Sequence, residues 1–256
     1  MQVVIYQSAG GGLSRAERLE RLAEMLAPGI ADLVICPELF TSGYNVGESL
    51  IGLAETSHGD SFQTLSELAR SCNTAICYGY PETDGTRMFN SAAFVSNTGQ
   101  LLANHRKRTL APGSFEQDYF AVDDASTVVE YQGFKIALLI CYEVEFPEIV
   151  RHAALSGAHL VVVPTALLRQ WEVVANRVVP ARAFENGVWL AYANHAGHEN
   201  GFDYLGGSKI VAPDGRIVVD AGPGEILMKT AVDTDSVRRA QTRLPYLQDV
   251  RKLKLT

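Results

Sequence analysis

Short apolar segments typical of β-strands alternate with amphipathic segments typical of α-helices along the whole chain. The first strand pattern covers residues 2–7. A helix pattern follows over residues 14–27, where Ser14 can cap the helix and Glu17 stands three residues later. The further strand patterns cover residues 31–36, 74–80, 88–96, 101–105, 127–131, 134–140, 159–163, 187–193, 205–211, 216–219 and 225–232, and the further helix patterns cover residues 61–72, 147–156 and 175–185. This alternation predicts an α/β fold.

Two tight turns show that the sheets are not purely parallel. Gln132-Gly133 and Pro213-Asp214-Gly215 each separate two strand patterns, which predicts two hairpins. Several strand patterns are apolar on both faces, so we expect each sheet to pack against helices on one face and against another sheet on the other. The chain has no low-complexity linker, and we therefore expect a single domain over residues 1–256, with the charged tail from Asp233 as a surface arm.

The composition excludes several classes of protein. Lys and Arg number 22 and Asp and Glu 29, and the net charge of −7 argues against nonspecific binding to nucleic acid. The longest apolar run, residues 136–142, is too short to span a membrane, and the first residues do not resemble a signal peptide. The four cysteines form no disulfide framework and no zinc-ribbon spacing. We expect a cytoplasmic protein that binds neither membrane nor nucleic acid.

Cys141 is the first candidate for chemistry, because it stands between a strand pattern and the helix that begins near Pro147. At such a junction, exposed N–H groups and a helix terminus favour the thiolate, which is the nucleophilic form. The alternative is a buried structural cysteine, which is common for free cysteines.

Glu38 and Lys107 are the other two candidates. Glu38 follows a buried strand pattern, where burial beside Leu39 and Phe40 would raise its pKa and suit it to act as a general base. Lys107 follows the pattern over residues 101–105 and could stabilise a developing oxyanion. The alternatives are an ordinary loop carboxylate and a solvated basic face. Together the three residues supply a nucleophile, a base and an oxyanion donor.

Three short motifs carry a resemblance to a known family. Pro37-Glu38-Leu39-Phe40, Arg106-Lys107-Arg108-Thr109-Leu110 and Cys141-Tyr142-Glu143 resemble the catalytic motifs of the nitrilase (carbon–nitrogen hydrolase) superfamily, amidase branch, and they occur in the family's order. The further matches are Phe146-Pro147-Glu148, Arg182-Ala183-Phe184-Glu185-Asn186, Ala193-Asn194, Gly206-Gly207-Ser208 and Pro213-Asp214-Gly215. The resemblance covers nearly the whole chain.

The resemblance implies a four-layer α-β-β-α sandwich in which two mixed sheets pack face to face. It also implies a Glu-Lys-Cys triad, with Glu38 as base, Lys107 as oxyanion donor and Cys141 as nucleophile. Glu116 matches a second glutamate that positions the lysine and the substrate, and the Tyr142 N–H matches a second oxyanion donor. The implied reaction passes through a cysteine thioester without a metal or an organic cofactor. By analogy with the family, we expect a homodimer or a higher homo-oligomer.

Two departures from the family pattern bear on the substrate. Nitrilases usually carry Trp where this chain has Tyr142, which favours an amide over a nitrile. Many amidases carry Arg where this chain has Glu145, and an acidic residue there would repel a substrate carboxylate. We therefore expect a small aliphatic carboxamide that is neutral or cationic, unless Glu145 pairs with Arg151 or Arg182 away from the pocket.

Several other residues and activities belong to the hypothesis. Trp171 is a candidate for the pocket wall, and Asn194 and His195 are candidates for substrate contacts at the pocket rim. His195 and His198 have a metal-like spacing, but no acidic ligand motif accompanies them, and we expect no metal site.

Five alternatives to the amidase hypothesis stay open. Two are other activities of the same family, an N-carbamoyl-amine amidohydrolase and a nitrilase. The others are a Cys–His dyad of the thiol-protease kind, a catalytically silent binding or assembly subunit, and acyl transfer to an amine instead of water.

Overall fold

Two six-stranded sheets form the centre of the fold. The description uses a computed structural model and extends over residues 1–253. The strands are β1 (Gln2–Gln7), β2 (Leu33–Ile35), β3 (Ala75–Thr83), β4 (Met88–Val95), β5 (Leu101–Arg106), β6 (Thr127–Tyr131), β7 (Phe134–Leu138), β8 (Leu160–Pro164), β9 (Trp189–Ala193), β10 (His198–Glu199), β11 (Phe202–Asp203), β12 (Lys209–Val211), β13 (Ile217–Asp220) and β14 (Ile226–Ala231). The first sheet has the order β14-β1-β2-β3-β4-β5 and the second the order β13-β12-β9-β8-β7-β6, while β10 and β11 pair only with each other.

The helices lie mainly between the strands in sequence. They are α1 (Arg15–Met25), α2 (Ser49–Leu53), α3 (Asp60–Cys72), α4 (Glu116–Tyr119), α5 (Pro147–Leu155), α6 (Val179–Asn186), α7 (Thr234–Arg243) and α8 (Tyr246–Asp249). A π-helical turn, Val174–Val178, leads directly into α6, and 3₁₀ turns cover Cys141–Glu145, Arg169–Trp171 and Val250–Lys252. The first helix begins as expected, because Ser14 and Glu17 form a reciprocal capping box.

The core is divided into layers by the alternation of side chains along each strand. Val3 and Ile5 of β1 face the second sheet, where they belong to one apolar cluster with Ile136 and Leu138 of β7. The opposite face of the first sheet packs on α1 and α3, and the outer face of the second sheet packs on α5 and α6. This arrangement confirms the four-layer α-β-β-α sandwich.

Both sheets are mixed. In the first, β1, β2 and β3 are parallel, whereas β14, β4 and β5 run antiparallel to their neighbours. In the second, β7, β8 and β9 are parallel and the strands outside them are antiparallel. Parallel strands place their carboxyl ends at the same edge, and the candidate residues leave the sheets there.

The last part of the chain differs from expectation in two details. The charged tail from Asp233 lies mainly on the surface as expected, but it is helical, because Asp233 caps α7, and Val237 of this helix is only 3% exposed and packs on the apolar cluster between the sheets. The strand expected over residues 205–211 is limited to β12, because Gly206 and Gly207 adopt left-handed backbone conformations that interrupt extended structure.

Among residues 1–253, no helix is long and apolar enough to cross a membrane. The expected cytoplasmic location and homodimer stay predictions.

Candidate active site

The site is built at three strand ends from both sheets. Glu38 follows β2 and Lys107 directly follows β5, both in the first sheet. Cys141 lies three residues beyond the end of β7 in the second sheet and opens the 3₁₀ turn Cys141–Glu145. Its φ of 45° is left-handed, a strained conformation for a residue with a Cβ. The strain points to a turn that is held in place by the surrounding structure.

Lys107 lies at the centre of a buried group of charges. Its Nζ donates to Glu38 Oε1 at 2.7 Å and to Glu116 Oε1 and Oε2 at 2.8 and 2.7 Å. All three side chains are completely buried. Burial alone would lower the pKa of Lys107, but the negative charges of Glu38 and Glu116 outweigh it and raise the pKa above its usual value. The ammonium group is therefore charged at neutral pH.

The two carboxylate oxygens of Glu38 differ. Oε1 accepts hydrogen bonds from Lys107 and from Asn90 Nδ2, which is 2.7 Å away. Oε2 is buried and has no hydrogen-bond partner among the described residues. Burial raises the pKa of Glu38, Lys107 lowers it and Glu116 raises it, and the result is a pKa above the ordinary 4.5 of glutamate. A carboxylate with a raised pKa and one free oxygen is suited to accept a proton.

The sulfur of Cys141 shares these surroundings. Burial raises the pKa of the thiol and the charge of Glu38 raises it further, while Lys107, the Thr165 hydroxyl and the Ala166 backbone oppose the change. The pKa lies well above the ordinary 9.0 of cysteine, so the expectation that the junction favours a thiolate is wrong. The strand-end location is as expected, but burial and a nearby carboxylate outweigh the local dipoles, and the thiol needs a base.

The residues after the nucleophile are held by Arg182. Its guanidinium donates to the Val144 carbonyl at 3.0 Å and to the Glu145 carbonyl at 2.6 Å, and it also pairs with the Glu185 carboxylate. The Glu145 side chain is half-buried, and burial raises its pKa against the opposing charges of Arg182 and Lys107. Tyr142 packs edge-on against Phe146, with ring centroids 4.9 Å apart.

The candidates at the pocket rim have different surroundings. The buried side chain of Asn194 is bonded to the backbone of Leu167 and Gly206, which favours a structural role over the predicted substrate contact. His195 is buried, and its Nε2 lies 2.7 Å from the carbonyl oxygen of Glu38. Burial lowers the pKa of His195 to about 4, so the ring is neutral at neutral pH. Trp171 is 55% exposed, and its role at a pocket wall stays a prediction.

His198 does not join His195. It is exposed and pairs with Asp203 instead. Within residues 1–253, no three His, Cys, Asp or Glu side chains are grouped so that they could hold a metal ion.

Two residues of the site were missed by the sequence analysis. Asn90 lies inside β4 and bonds Glu38, and the Tyr44 hydroxyl donates to Glu116 Oε1 at 2.6 Å. Tyr44 also belongs to an apolar cluster beside the charged group, in which the aromatic residues Phe115, Phe120, Phe202 and Tyr204 pack with aliphatic side chains. Neither residue stands in a motif or at a predicted strand end, so no sequence signal could have identified it.

The chain is similar to known proteins over nearly its whole length. A family model described as carbon-nitrogen hydrolase matches residues 6–242. A Pseudomonas protegens protein named hydrolase in pqqF 5'region is 40% identical over 98% of this chain and 89% of its own length. An (R)-stereoselective amidase of Pseudomonas sp. is 33% identical over 98% of this chain and 92% of its own.

Solved structures agree with these matches. The amidase from Nesterenkonia sp. AN1 is 32% identical, with a TM-score of 0.88 over 98% of this chain and 97% of that chain. A variant of that amidase with a cysteine replaced by alanine, in complex with butyramide, has a TM-score of 0.85 at 31% identity over 96% of this chain and 95% of that chain.

Proposed function

The chain belongs to the carbon–nitrogen hydrolase family of the nitrilase superfamily, and we propose that it is an amidase that hydrolyses a small aliphatic carboxamide, neutral or cationic, to a carboxylate and ammonia. Its class, a hydrolase of carbon–nitrogen bonds other than peptide bonds, follows from this membership. One observation carries the finer proposal: Glu38 accepts from the Lys107 ammonium through Oε1 and keeps Oε2 unpartnered among the described residues, in a site whose charges act on the Cys141 thiol.

In the first half of the proposed reaction, Glu38 Oε2 accepts the proton of the Cys141 thiol while the sulfur attacks the amide carbon. The new S–C bond pushes the carbonyl electrons onto oxygen, where Lys107 and the Tyr142 N–H stabilise the charge. Loss of one such donor typically costs about 3–4 kcal/mol of barrier. Glu38 then returns the proton to the nitrogen, the C–N bond breaks, and ammonia leaves a thioester on Cys141.

In the second half, Glu38 accepts a proton from water as the water oxygen attacks the thioester carbon. The same donors stabilise the second oxyanion. The S–C bond then breaks, Glu38 returns its proton to sulfur, and the product acid gives its own proton to the released ammonia or to solvent and leaves as a carboxylate. The raised pKa of Glu38 supports both steps, because a group that gives and takes protons works best when its pKa approaches the operating pH. Glu116 is proposed to hold Lys107 and the substrate in place.

The proposed substrate class rests on the charges beside the nucleophile. Glu145 supplies a carboxylate near Lys107, and the guanidinium of Arg182 is engaged with backbone carbonyls and with Glu185. A substrate carboxylate would meet repulsion from Glu145, and the Arg182 guanidinium is not free to bind it. The apolar cluster around Tyr44 suits a short apolar acyl chain. The related Nesterenkonia amidase has been seen in complex with butyramide, which is such a compound.

Ammonia release from a substrate panel tests the proposal. The panel holds butyramide, an ω-amino amide, a dicarboxylic acid monoamide, an N-carbamoyl amine and butyronitrile, with carbon dioxide measured beside ammonia. We expect turnover of the first two and a loss of at least about 10³-fold in Cys141→Ala. Cys72→Ala is the matched control, because Cys72 is a buried thiol at the end of α3. Full turnover by Cys141→Ala would refute the mechanism, and preference for the monoamide, the carbamoyl amine or the nitrile would refute the substrate class.

A further inference from the structure

A buried carboxylate outside the triad links the two strand ends that carry Lys107 and Cys141. We propose that Glu143 is a positioning residue that fixes the Cys141 sulfur relative to the Lys107 ammonium; this inference rests on the function proposed above. The Glu143 side chain is completely buried. Its hydrogen bonds among the described residues go to neither Lys107 Nζ nor the Cys141 sulfur, so it acts through the backbone that holds them.

Glu143 receives three donors from the two sides of the site. Its Oε2 accepts from the backbone N–H of Ile140 at 2.6 Å, one residue before Cys141. Its Oε1 accepts from the backbone N–H of Arg108 at 3.2 Å, one residue after Lys107. His105 Nε2 lies 2.9 Å from Oε2, two residues before Lys107. One carboxylate therefore connects the neighbours of both groups.

This connection matters because the two groups come from different sheets. Lys107 follows β5 in the first sheet, Cys141 follows β7 in the second, and the layer between these sheets is apolar. Apolar contacts are not directional, whereas hydrogen bonds to a carboxylate are short and depend on angle. The bonds of Glu143 restrict sliding of one strand end against the other, which apolar packing alone restricts less.

Glu143 also closes the strained turn around Cys141. Its own N–H donates to the Ile140 carbonyl at 3.1 Å, while its side chain accepts from the Ile140 N–H. Cys141 lies between these two bonds with its φ of 45°. The carboxylate thus holds the left-handed turn and ties it to the lysine segment at once.

His105 contacts the Glu143 carboxylate through Nε2 and is itself held by a second contact. It is 1% exposed, and its Nδ1 lies 3.1 Å from the Thr127 hydroxyl on β6. The imidazole is thereby oriented between Thr127 and Glu143. A side chain that keeps a donor at the Nε2 position should preserve the arrangement, and one that lacks the donor should not.

The first experiment compares Glu143→Gln with Glu148→Gln, a matched control at an exposed glutamate on α5. Glutamine keeps the size of the side chain, but its NH₂ group donates where a carboxylate oxygen accepts. It must therefore face the Ile140 N–H, the Arg108 N–H or His105, and at least one of these hydrogen bonds is lost. We expect kcat on butyramide to fall at least about tenfold in Glu143→Gln with KM changed less than about threefold, because misplacement of reacting groups slows chemistry more than binding. Wild-type kcat in Glu143→Gln, or a loss confined to KM, would overturn the proposal.

The second experiment compares His105→Gln with His105→Leu by the rate at which iodoacetamide alkylates Cys141, read by peptide mass spectrometry. We expect alkylation and kcat near wild type in His105→Gln, and both reduced about tenfold or more in His105→Leu. Equal rates in the two variants would overturn the inference. If Glu143→Gln fails to fold, the comparison of His105→Gln with His105→Leu tests the positioning role of Glu143 in its place. If wild-type protein hydrolyses no amide, the proposed function fails, while the alkylation contrast still tests the positioning.

Discussion

At the scale of single residues, the unequal surroundings of the Glu38 oxygens explain how one carboxylate can be both ion-paired and basic. Oε1 is held by Lys107 and Asn90, and this fixes the direction in which Oε2 points. A carboxylate bonded through both oxygens would be a weak base, and one without partners would carry a large desolvation cost. Asn90 is therefore the residue through which the basicity of Glu38 can be tuned without touching Lys107.

The pH dependence of kcat/KM tests this interpretation. In the proposed mechanism activity requires ionised Glu38, so it should fall as the pH drops through the pKa of Glu38, which lies above 4.5 because burial and Glu116 raise it. The hydrogen bond from Asn90 favours the ionised form. We expect Asn90→Ala to move the acid limb to higher pH by about one unit, the size of one hydrogen bond to a charged group.

Asn104→Ala is the control for that measurement, since Asn104 on β5 bonds Glu82 and Tyr80 instead of the site. It should leave the limb where the wild type has it. An acid limb that stays in place or moves to lower pH in Asn90→Ala would contradict the assignment of Glu38 as base.

At the scale of elements, local signals explain which parts of the fold could be predicted. The Gln132-Gly133 turn identified the hairpin of β6 and β7, and a cap with one apolar face identified α1. The helices α4 and α7 were not predicted, although Asp233 provides a cap for α7. One turn of helix is too short to show a period, and α7 buries only Val237, so its sequence reads as a charged tail.

The site residues also divide into those that have a local sequence signal and those that have none. Glu38, Lys107 and Cys141 stand at strand ends and in motifs, so they could be predicted. Tyr44 and Asn90 reach the site only through the packing of distant segments, which no local pattern encodes. The high pKa of the Cys141 thiol could not be predicted from a local pattern either. It depends on burial and on the carboxylate of Glu38, which lies 103 positions earlier in the chain (141 − 38).

Two of the three arginines on helix α1, Arg18 and Arg21, should differ strongly in their effect on stability. Arg18 is 1% exposed and pairs with the buried Glu199 at 3.0 Å, and Glu199 also accepts from the backbone of Tyr44. Arg21, one turn later, is half-exposed and pairs with Glu225. We expect Arg18→Met to lower the free energy of unfolding by about 3–5 kcal/mol, because an unpaired buried charge is costly. Arg21→Met should cost only about 0–1 kcal/mol.

Urea denaturation followed by circular dichroism measures both arginine variants. Similar losses in the two would show that the pair on Arg18 contributes no more than a surface ion pair. Substrate turnover, measured on the folded fraction, would then show whether the link from Glu199 to Tyr44 and Glu116 depends on Arg18.

At the scale of the whole molecule, the first and last strands of the described chain pair in one sheet. β1 pairs with β14 from Gln2 opposite Ala231 to Gln7 opposite Ile226, and the Met1 amino group donates to the Val232 carbonyl at 3.0 Å. The second sheet is formed by the middle of the chain and shares an apolar layer with the first. Neither sheet can be removed without exposing that layer, so we expect the protein to unfold as one cooperative unit.

A tryptophan in the second sheet can report whether the first sheet unfolds with it. The chain has two tryptophans, and Trp171→Phe leaves only Trp189, which is 5% exposed on β9. In that background, Ile76→Ala removes a buried side chain from β3 on the face that packs against α1 and α3. The loss should be about 2–5 kcal/mol of unfolding free energy.

If the molecule is one cooperative unit, the urea midpoint of Trp189 fluorescence will move as far as the midpoint of far-ultraviolet circular dichroism, with the slopes unchanged. The physical reason is that the sheets share a core, so that destabilising one lowers the free energy of unfolding of both. A Trp189 midpoint that stays at its original position, while the circular dichroism splits into two steps, would instead mean that the sheets unfold independently. The single-domain interpretation would then be wrong, and the site between the sheets could open without unfolding of either.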